Sequence, residues 1–259
     1  MAIPFTKASA CGNDFLIIDG TLAPSHIEKL TEAICDRHNG VGADGVEWLF
    51  PAGDADVEAR LINADGSAAE ISGNGTRCVA AYLCAENGKE AVVIRTGAGL
   101  KTCTLIAQSG KTFEFETAMG SPQVGRESAI KTSFGEVEGI PVSMGNPHFV
   151  VLVSEFWPDW QQRAAEIQRD PGFKQGINIE LVLMKDKQHI DVRFFERGVG
   201  ETQSSGTGSC AAAVAAIVSA GADSPLRVHA PGGTQVVRFE RELWLQGPAQ
   251  LLCRGEFFI

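Results

Sequence analysis

The sequence has no Cys-x-x-Cys pair, no cluster of histidines and no apolar run long enough to cross a bilayer. Each absence removes a class of function. The longest apolar stretch, near Cys210 to Ala222, is too short for a membrane span and is broken by Ser219 and Gly221. No basic segment followed by an apolar one opens the chain, so no signal peptide is expected. The five histidines stand apart without metal-ligand spacing, and no zinc or other metal site is expected. Positive charge is in deficit, with 22 Lys and Arg against 32 Asp and Glu, a formal charge of −10. That balance argues against nucleic acid or an anionic membrane as a partner, and an acidic surface otherwise serves solubility. Seven cysteines, an odd number without framework spacing, fit a reducing compartment, so the cytoplasm is the expected location.

What is present is a globular chain of 259 residues, 44% hydrophobic and 21% charged, long enough for one large or two medium domains. It is organised around the stretch Ser72 to Leu83, SGNGTRCVAAYL, and its counterpart Ser205 to Ala216, SGTGSCAAAVAA. In each, a serine precedes a Gly-x-Gly turn that opens into a run of small and apolar residues. The runs Cys78 to Ala85 and Cys210 to Val218 have no polar face, the mark of a buried helix. A helix start carries free backbone N–H groups and attracts anions.

Ser205 follows Ser72 by 133 positions, and Gly145-Asn146 follows Gly12-Asn13 by the same 133. Asn63 and Glu196 each lie nine residues before their serine, at the ends of the apolar stretches Ala59 to Ile62 and Val192 to Phe195. Three landmarks at one offset argue for an internal duplication. Two such halves are expected to face each other across a cleft, presenting both helix N-termini to one ligand.

In chain order, Phe5 to Ile18 reads as two strands around the loop Cys11 to Asp14. A helix is expected to start at Pro24-Ser25, with Ser25 and Glu28 at capping-box spacing, and to end near Asn39-Gly40. GVGADG, Gly40 to Gly45, matches G-x-G-x-x-G literally. A helix precedes it and a strand, Val46 to Phe50, follows, the reverse of the order a dinucleotide site needs, so it reads as a glycine-rich turn. Strands are expected over 59–63, 91–96, 102–107 and 112–116, with Phe113 and Phe115 on a buried face. The second half begins near Met119. There Val137 to Pro141 leads to Ser143 to His148 and an expected strand over 149–153, followed by a helix from Pro158-Asp159 to about Arg169, strands over 179–184 and 190–196, and three strands after the second central helix. The apolar segment Leu251 to Ile259 is free to return and complete the first half. The expected domains are therefore 1–117 plus 248–259, and 118–247.

The polar residues beside the duplicated landmarks are mostly neutral: Asn13, Asn63, Asn74, Asn146, Asn178 and Thr207, with Glu196 and Arg197 charged. The set suits a small zwitterion, with N–H groups and Arg197 for a carboxylate, and Glu196 and amide oxygens for an ammonium. Taken singly, each asparagine is more readily a turn residue, and it is the placement beside the duplicated landmarks that points to a site.

Seven motifs in order resemble the diaminopimelate epimerase family: GNDF at Gly12, NADGS at Asn63, SGNGTRC at Ser72, SMGNPH at Ser143, GINIE at Gly176, ERGVGET at Glu196 and SGTGSCA at Ser205. The resemblance spans nearly the whole chain. It implies an α/β (α+β) fold of two pseudo-symmetric domains, each a mostly antiparallel sheet wrapped around a central helix, with the active site in the cleft between them. It implies an isomerase that inverts the α-carbon of diaminopimelate, LL to meso, without cofactor, in lysine and peptidoglycan biosynthesis. Asn13, Asn63, Asn146, Asn178, Glu196 and Arg197 resemble substrate-binding positions. Gly73-Asn74 and Gly206-Thr207 resemble the backbone cradles of the substrate carboxylate, and His148 and Glu196 the auxiliary residues of the base–acid pair. The partner implied is a small diaminopimelate-like amino acid, with a homodimer left open.

At the two base positions the family has cysteine, and here stand Ser72 and Ser205. A thiol ionises near pH 8.5, and lower at a helix N-terminus, whereas a hydroxyl needs an adjacent base. Cys78 and Cys210 lie too far along their helices to substitute and read as packing residues. Three readings follow: an epimerase or related isomerase that uses its serines with help, a thiol-to-hydroxyl variant that holds substrate without turnover, and a non-catalytic binder of a small amino acid. A pyridoxal-phosphate racemase is more remote, because no lysine stands in a context that singles it out.

Overall fold

The computed structural model describes residues 2–259. They divide into two units, residues 2–117 with Gly247–Ile259, and Ala118–Gln246.

The first unit opens with β1 (Ala2–Ala10) and β2 (Asn13–Asp19). Ala10 lies opposite Asn13, so the hairpin turns on Cys11 and Gly12 alone, with φ of +47° and +87°. A two-residue hairpin of this hand needs positive φ at both positions; Gly12 adopts it freely and Cys11 is held there against its side chain. Then follow α1 (Ile27–Cys35), β3 (Gly45–Phe50), β4 (Val57–Asn63), β5 (Ala68–Ala69), α2 (Gly73–Asn87), β6 (Ala91–Thr96), β7 (Gly99–Ser109) and β8 (Thr112–Gly120). The second unit contains β9 (Gln123–Val124), β10 (Ser128–Thr132), β11 (Gly135–Ser143), β12 (Pro147–Val153), α3 (Trp160–Gln168), β13 (Asn178–Met184), β14 (His189–Glu196), β15 (Gly200–Thr202), α4 (Gly206–Ala220), β16 (Leu226–Ala230), β17 (Gly233–Phe239) and the start of β18 (Leu243–Phe258). From Gly247 onward β18 belongs to the first unit, where it pairs antiparallel with β1 from Ser9↔Gln250 to Ala2↔Phe258.

The two sheets repeat one pairing scheme. In the first, β1–β2 is antiparallel, β2–β3 parallel, β3–β4 antiparallel, β4–β6 parallel, and β6–β7–β8 antiparallel. In the second, β11–β12, β12–β13, β13–β14, β14–β16, β16–β17 and β17–β18 follow the same order of antiparallel and parallel pairs. In the first unit β8 also pairs with β18, so the strands run full circle around α2. Alternation along the strands sorts the side chains. Phe15 and Ile17 of β2 point inward against Cys78 to Cys84 of α2, together with Phe113 and Phe115 of β8. Leu16 and Ile18 point outward to Leu30 and Ile34 of α1. The second unit packs α4 inside and α3 outside in the same way. The runs Cys78 to Cys84 of α2 and Cys210 to Ala216 of α4 are apolar and mostly buried inside their sheets, and each helix ends on a left-handed glycine, Gly88 or Gly221.

Two local expectations differ. The helix α1 starts at Ile27, with His26 rather than Ser25 as N-cap and no side-chain cap bond. It stops at Cys35, four residues early, because the Asp36 carboxylate accepts from the N–H groups of His38 (2.8 Å) and Asn39 (2.6 Å) and diverts the chain into a turn. The short strands β5, β9, β10 and β15 add to the expected set; they are too brief or too polar to show a period.

Candidate active site

Ser72 is the N-cap of α2 and Ser205 the N-cap of α4, both with extended backbone. Each hydroxyl oxygen accepts from the amide three residues on: Gly75 N to Ser72 Oγ at 3.1 Å, and Gly208 N to Ser205 Oγ at 3.2 Å. This is ordinary capping, and it leaves each serine's own O–H as a donor. Ser72 is half-buried and Ser205 buried.

Beside each serine lies the asparagine of the preceding hairpin. In the first unit Asn74 Nδ2 donates to Asn13 Oδ1 at 2.7 Å, and Asn13 Nδ2 donates to Asp44 at 3.0 Å. In the second, Asn146 Nδ2 donates to Thr207 Oγ1 at 3.3 Å. These pairs occupy equivalent places in the repeat. Asn63 donates to Ser67 Oγ at 3.0 Å. Asn178 Oδ1 accepts from Arg197 N at 2.9 Å, and its amide donates to Pro147 O at 3.1 Å, so this buried side chain ties the start of β13 to the start of β12 and to the loop after β14. The exposed Arg197 guanidinium donates to Gln175 O at 2.7 Å. Glu196 accepts from Thr202 Oγ1 at 2.9 Å. His148 is fully buried, and its ring reaches Asn146 Oδ1 at 3.0 Å through Nε2. Through Nδ1 it meets not Glu196 but Glu180, at 2.7 Å.

Glu180 escapes the sequence reading, and so do Glu47 and Arg77. Glu47 and Glu180 are both buried, 3% and 0% exposed, on the inward faces of β3 and β13. Each lies against the first turn of its unit's central helix. A methyl group on Gly75 would collide with Glu47 Oε1, and one on Gly208 would sit 2.8 Å from Glu180 Oε1. Glycine at the second position of each Gly-x-Gly therefore makes room for a carboxyl. Burial pushes Glu47 up to about 8. Burial also raises Glu180, opposed by His148. Arg77, 2% exposed on α2, donates to Asn74 Oδ1 and to Pro248 O at 3.4 Å, which fastens β18 to the helix. A signal for the acids was available: each is the lone charge inside an apolar strand run, GVEWLF and NIELVLM, and they too are 133 positions apart. Cys78 and Cys210 are fully buried, and burial raises the Cys78 thiol well above its ordinary range.

One consequence concerns stability. The folded pKa of Glu47 lies above its unfolded value near 4.5, so folding prefers the neutral acid and loses stability as pH rises from about 4.5 towards 8. Glu47→Gln lacks that loss. At pH 7 it is expected to be more stable than the parent by about 3 kcal/mol, at 1.36 kcal/mol per pH unit, with the difference vanishing near pH 4.5. Urea unfolding at both pH values checks it. Equal differences at the two would mean that Glu47 does not titrate late.

The sequence pattern of diaminopimelate epimerase matches residues 5–124 and 140–252. The diaminopimelate epimerase of Pelotomaculum thermopropionicum is 35% identical over 98% of this chain and 98% of its own length. That of Sphingopyxis alaskensis is 37% identical over 99% and 97%. The chain belongs to the diaminopimelate epimerase family. It is an isomerase of the epimerase type. The two-domain fold extends beyond the diaminopimelate epimerase family. A Bacillus anthracis phenazine biosynthesis protein of the PhzF family superposes with a TM-score of 0.74 at 18% identity, over the whole of both chains.

Proposed function

We propose that this chain inverts the α-carbon of diaminopimelate, interconverting the LL and meso forms without a cofactor, with Ser72 and Ser205 as the two groups that handle the proton. The observation that carries the reading is the repeated N-cap. Each serine caps a buried helix whose first turn is formed by Gly73-Asn74 or Gly206-Thr207, the end where the helix dipole is positive. Such an end favours a carboxylate. It also lowers the energy of the enediolate formed when the α-proton leaves, because the new negative charge develops on the same carboxylate oxygens. Asn13, Asn63, Asn146, Asn178, Glu196 and Arg197 would bind the remaining polar groups of the substrate, and His148 would support proton transfer in the second unit. The seven cysteines, none in a disulfide, support a cytoplasmic location.

The test is exchange of the α-proton. In D₂O, LL- or meso-diaminopimelate with the protein is expected to lose its α-proton signal in NMR and to gain the other stereoisomer. The second reading, a binder without turnover, is favoured by the hydroxyls at both base positions. Calorimetric binding with no exchange above the buffer rate would establish it and overturn the proposal.

A further inference from the structure

A serine that removes an α-proton must pass its own proton on, because a free alkoxide is not populated near neutral pH. In the first unit one group is placed to receive it. The inward face of β3 carries Glu47 and Leu49, and Leu49 joins the apolar cage around α2. Glu47 stands in the same row, 3% exposed, at the first turn of α2. The point where a Gly75 methyl would sit is overlapped by Glu47 Oε1 and lies 3.3 Å from Ser72 Cβ. Carboxyl and serine thus share one face of a single glycine. Ser72 Oγ already accepts from Gly75 N, so its O–H is the part left to donate.

We propose that Glu47 is the proton reservoir behind Ser72. The assignment rests on the epimerase reading above. As the substrate's Cα–H bond breaks, its proton joins Ser72 Oγ, and the bonding pair stays on the substrate as the enediolate. The original Ser72 O–H bond breaks, and that proton passes to the Glu47 carboxylate. The hydroxyl is neutral before and after, and the negative charge moves from Glu47 to the substrate. Return of a proton reverses each movement. Glu47 acts through Ser72 and is a positioning residue, not a group that touches substrate.

Two features separate this role from packing. The cage accepts apolar side chains at Leu49, Leu61 and Ala59, so a carboxyl is not needed to fill it. Burial pushes the Glu47 carboxyl up to about 8. The charged and titratable groups around the neighbouring Cys78 are Arg77 on α2, Cys11 of the hairpin and Asp14 of β2. Arg77 is turned to Asn74, Cys11 and Pro248, and Asp14 to Lys7 and Arg37. An acid poised near 8 exchanges protons at working pH in both directions.

The experiment compares the parent, E47Q, S72C and the S72C/E47Q double variant for kcat, KM and melting temperature with LL- and meso-diaminopimelate. E47Q is expected to lose about 10²-fold or more in kcat, with KM within about threefold of the parent. A thiol at position 72 forms its own thiolate and has no need of a reservoir, so in the S72C background E47Q is expected to cost less than about threefold. The parent's pH profile is a measurement free of any variant. In the direction in which Ser72 takes the proton, Glu47 must start ionised and kcat rises through pH about 8. In the opposite direction Glu47 starts protonated and kcat falls through the same pH. An active parent with E47Q unimpaired, an equal loss in both backgrounds, or a profile flat from pH 7 to 9 in both directions overturns the inference alone. A parent that exchanges no α-proton overturns the epimerase reading, and the inference with it.

Discussion

The double substitution Ser72→Cys with Ser205→Cys is expected to raise the rate of diaminopimelate inversion by about 10²–10⁴-fold, the usual contribution of a general acid–base group. The cause is proton affinity. Both positions are N-caps of buried helices, where the helix dipole lowers a thiol's pKa and keeps a thiolate populated near pH 7. A hydroxyl at the same place is far from ionised and depends on a second group. Each single substitution is expected to help less, because inversion needs one group to take the proton and another to return it. The gain should be accompanied by a loss of stability. Sulfur is a weaker acceptor than oxygen for the N–H groups of Gly75 and Gly208, and loss of an N-cap bond costs about 0.5–2 kcal/mol. Racemisation assays and melting curves on the parent, both single variants and the double decide the matter. A double variant no faster than the parent would show that the missing thiols do not limit the rate.

The other large effect concerns the floor of the second unit. His148→Ala is expected to destabilise the protein by about 3–5 kcal/mol at pH 7, the cost of removing one partner from a buried pair. Both side chains are fully buried, at an Nδ1–Oε1 distance of 2.7 Å. The other oxygen, Glu180 Oε2, is buried without a hydrogen-bond partner among the described residues, so the substitution leaves the whole carboxyl bare. The pH dependence has a definite sign. Burial raises Glu180 in the folded state, and loss of His148 raises it further. The penalty is therefore smallest below the unfolded carboxyl pKa near 4.5, where the acid is neutral in both states, and grows as pH rises. Urea unfolding at pH 4.5 and 7 should show the difference between parent and variant widening with pH. A constant difference would assign the loss to the cavity rather than to the charge.

Much of this molecule is legible one dimension at a time. The two central helices announce themselves because an apolar run after Ser-Gly-x-Gly satisfies its own backbone and asks only to be enclosed. Their N-caps and glycine ends are chemistry within four residues of chain. The strands show where a face alternates, as in Phe113 and Phe115, and the constant spacing of 133 discloses the repeat without any coordinates. The strands that escape, β5, β9, β10 and β15, are held by neighbours rather than by their own pattern. For α1, the box at Ser25 and Glu28 is not used, since His26 is the N-cap, and the far end is set by the Asp36 carboxylate, which draws the N–H groups of His38 and Asn39 into a turn.

The site divides along the same line. Ser72, Ser205 and the asparagines of the two hairpins stand at motif positions that composition and spacing single out. Glu47 and Glu180 lie outside those motifs: each is the lone charge inside an apolar strand run, where local sequence predicts solvent, and only their shared spacing of 133 marks them. Whether a lone glutamate on a strand meets water, a neighbouring sheet or the first turn of a helix depends on which face of the strand it occupies and on what packs there. The sequence by itself determined the repeat, the central helices and the residue at the head of each. Only the tertiary structure decided that a buried carboxyl lies beneath each of those heads, because strand register and helix packing, contacts between residues far apart in the chain, set which side chains meet.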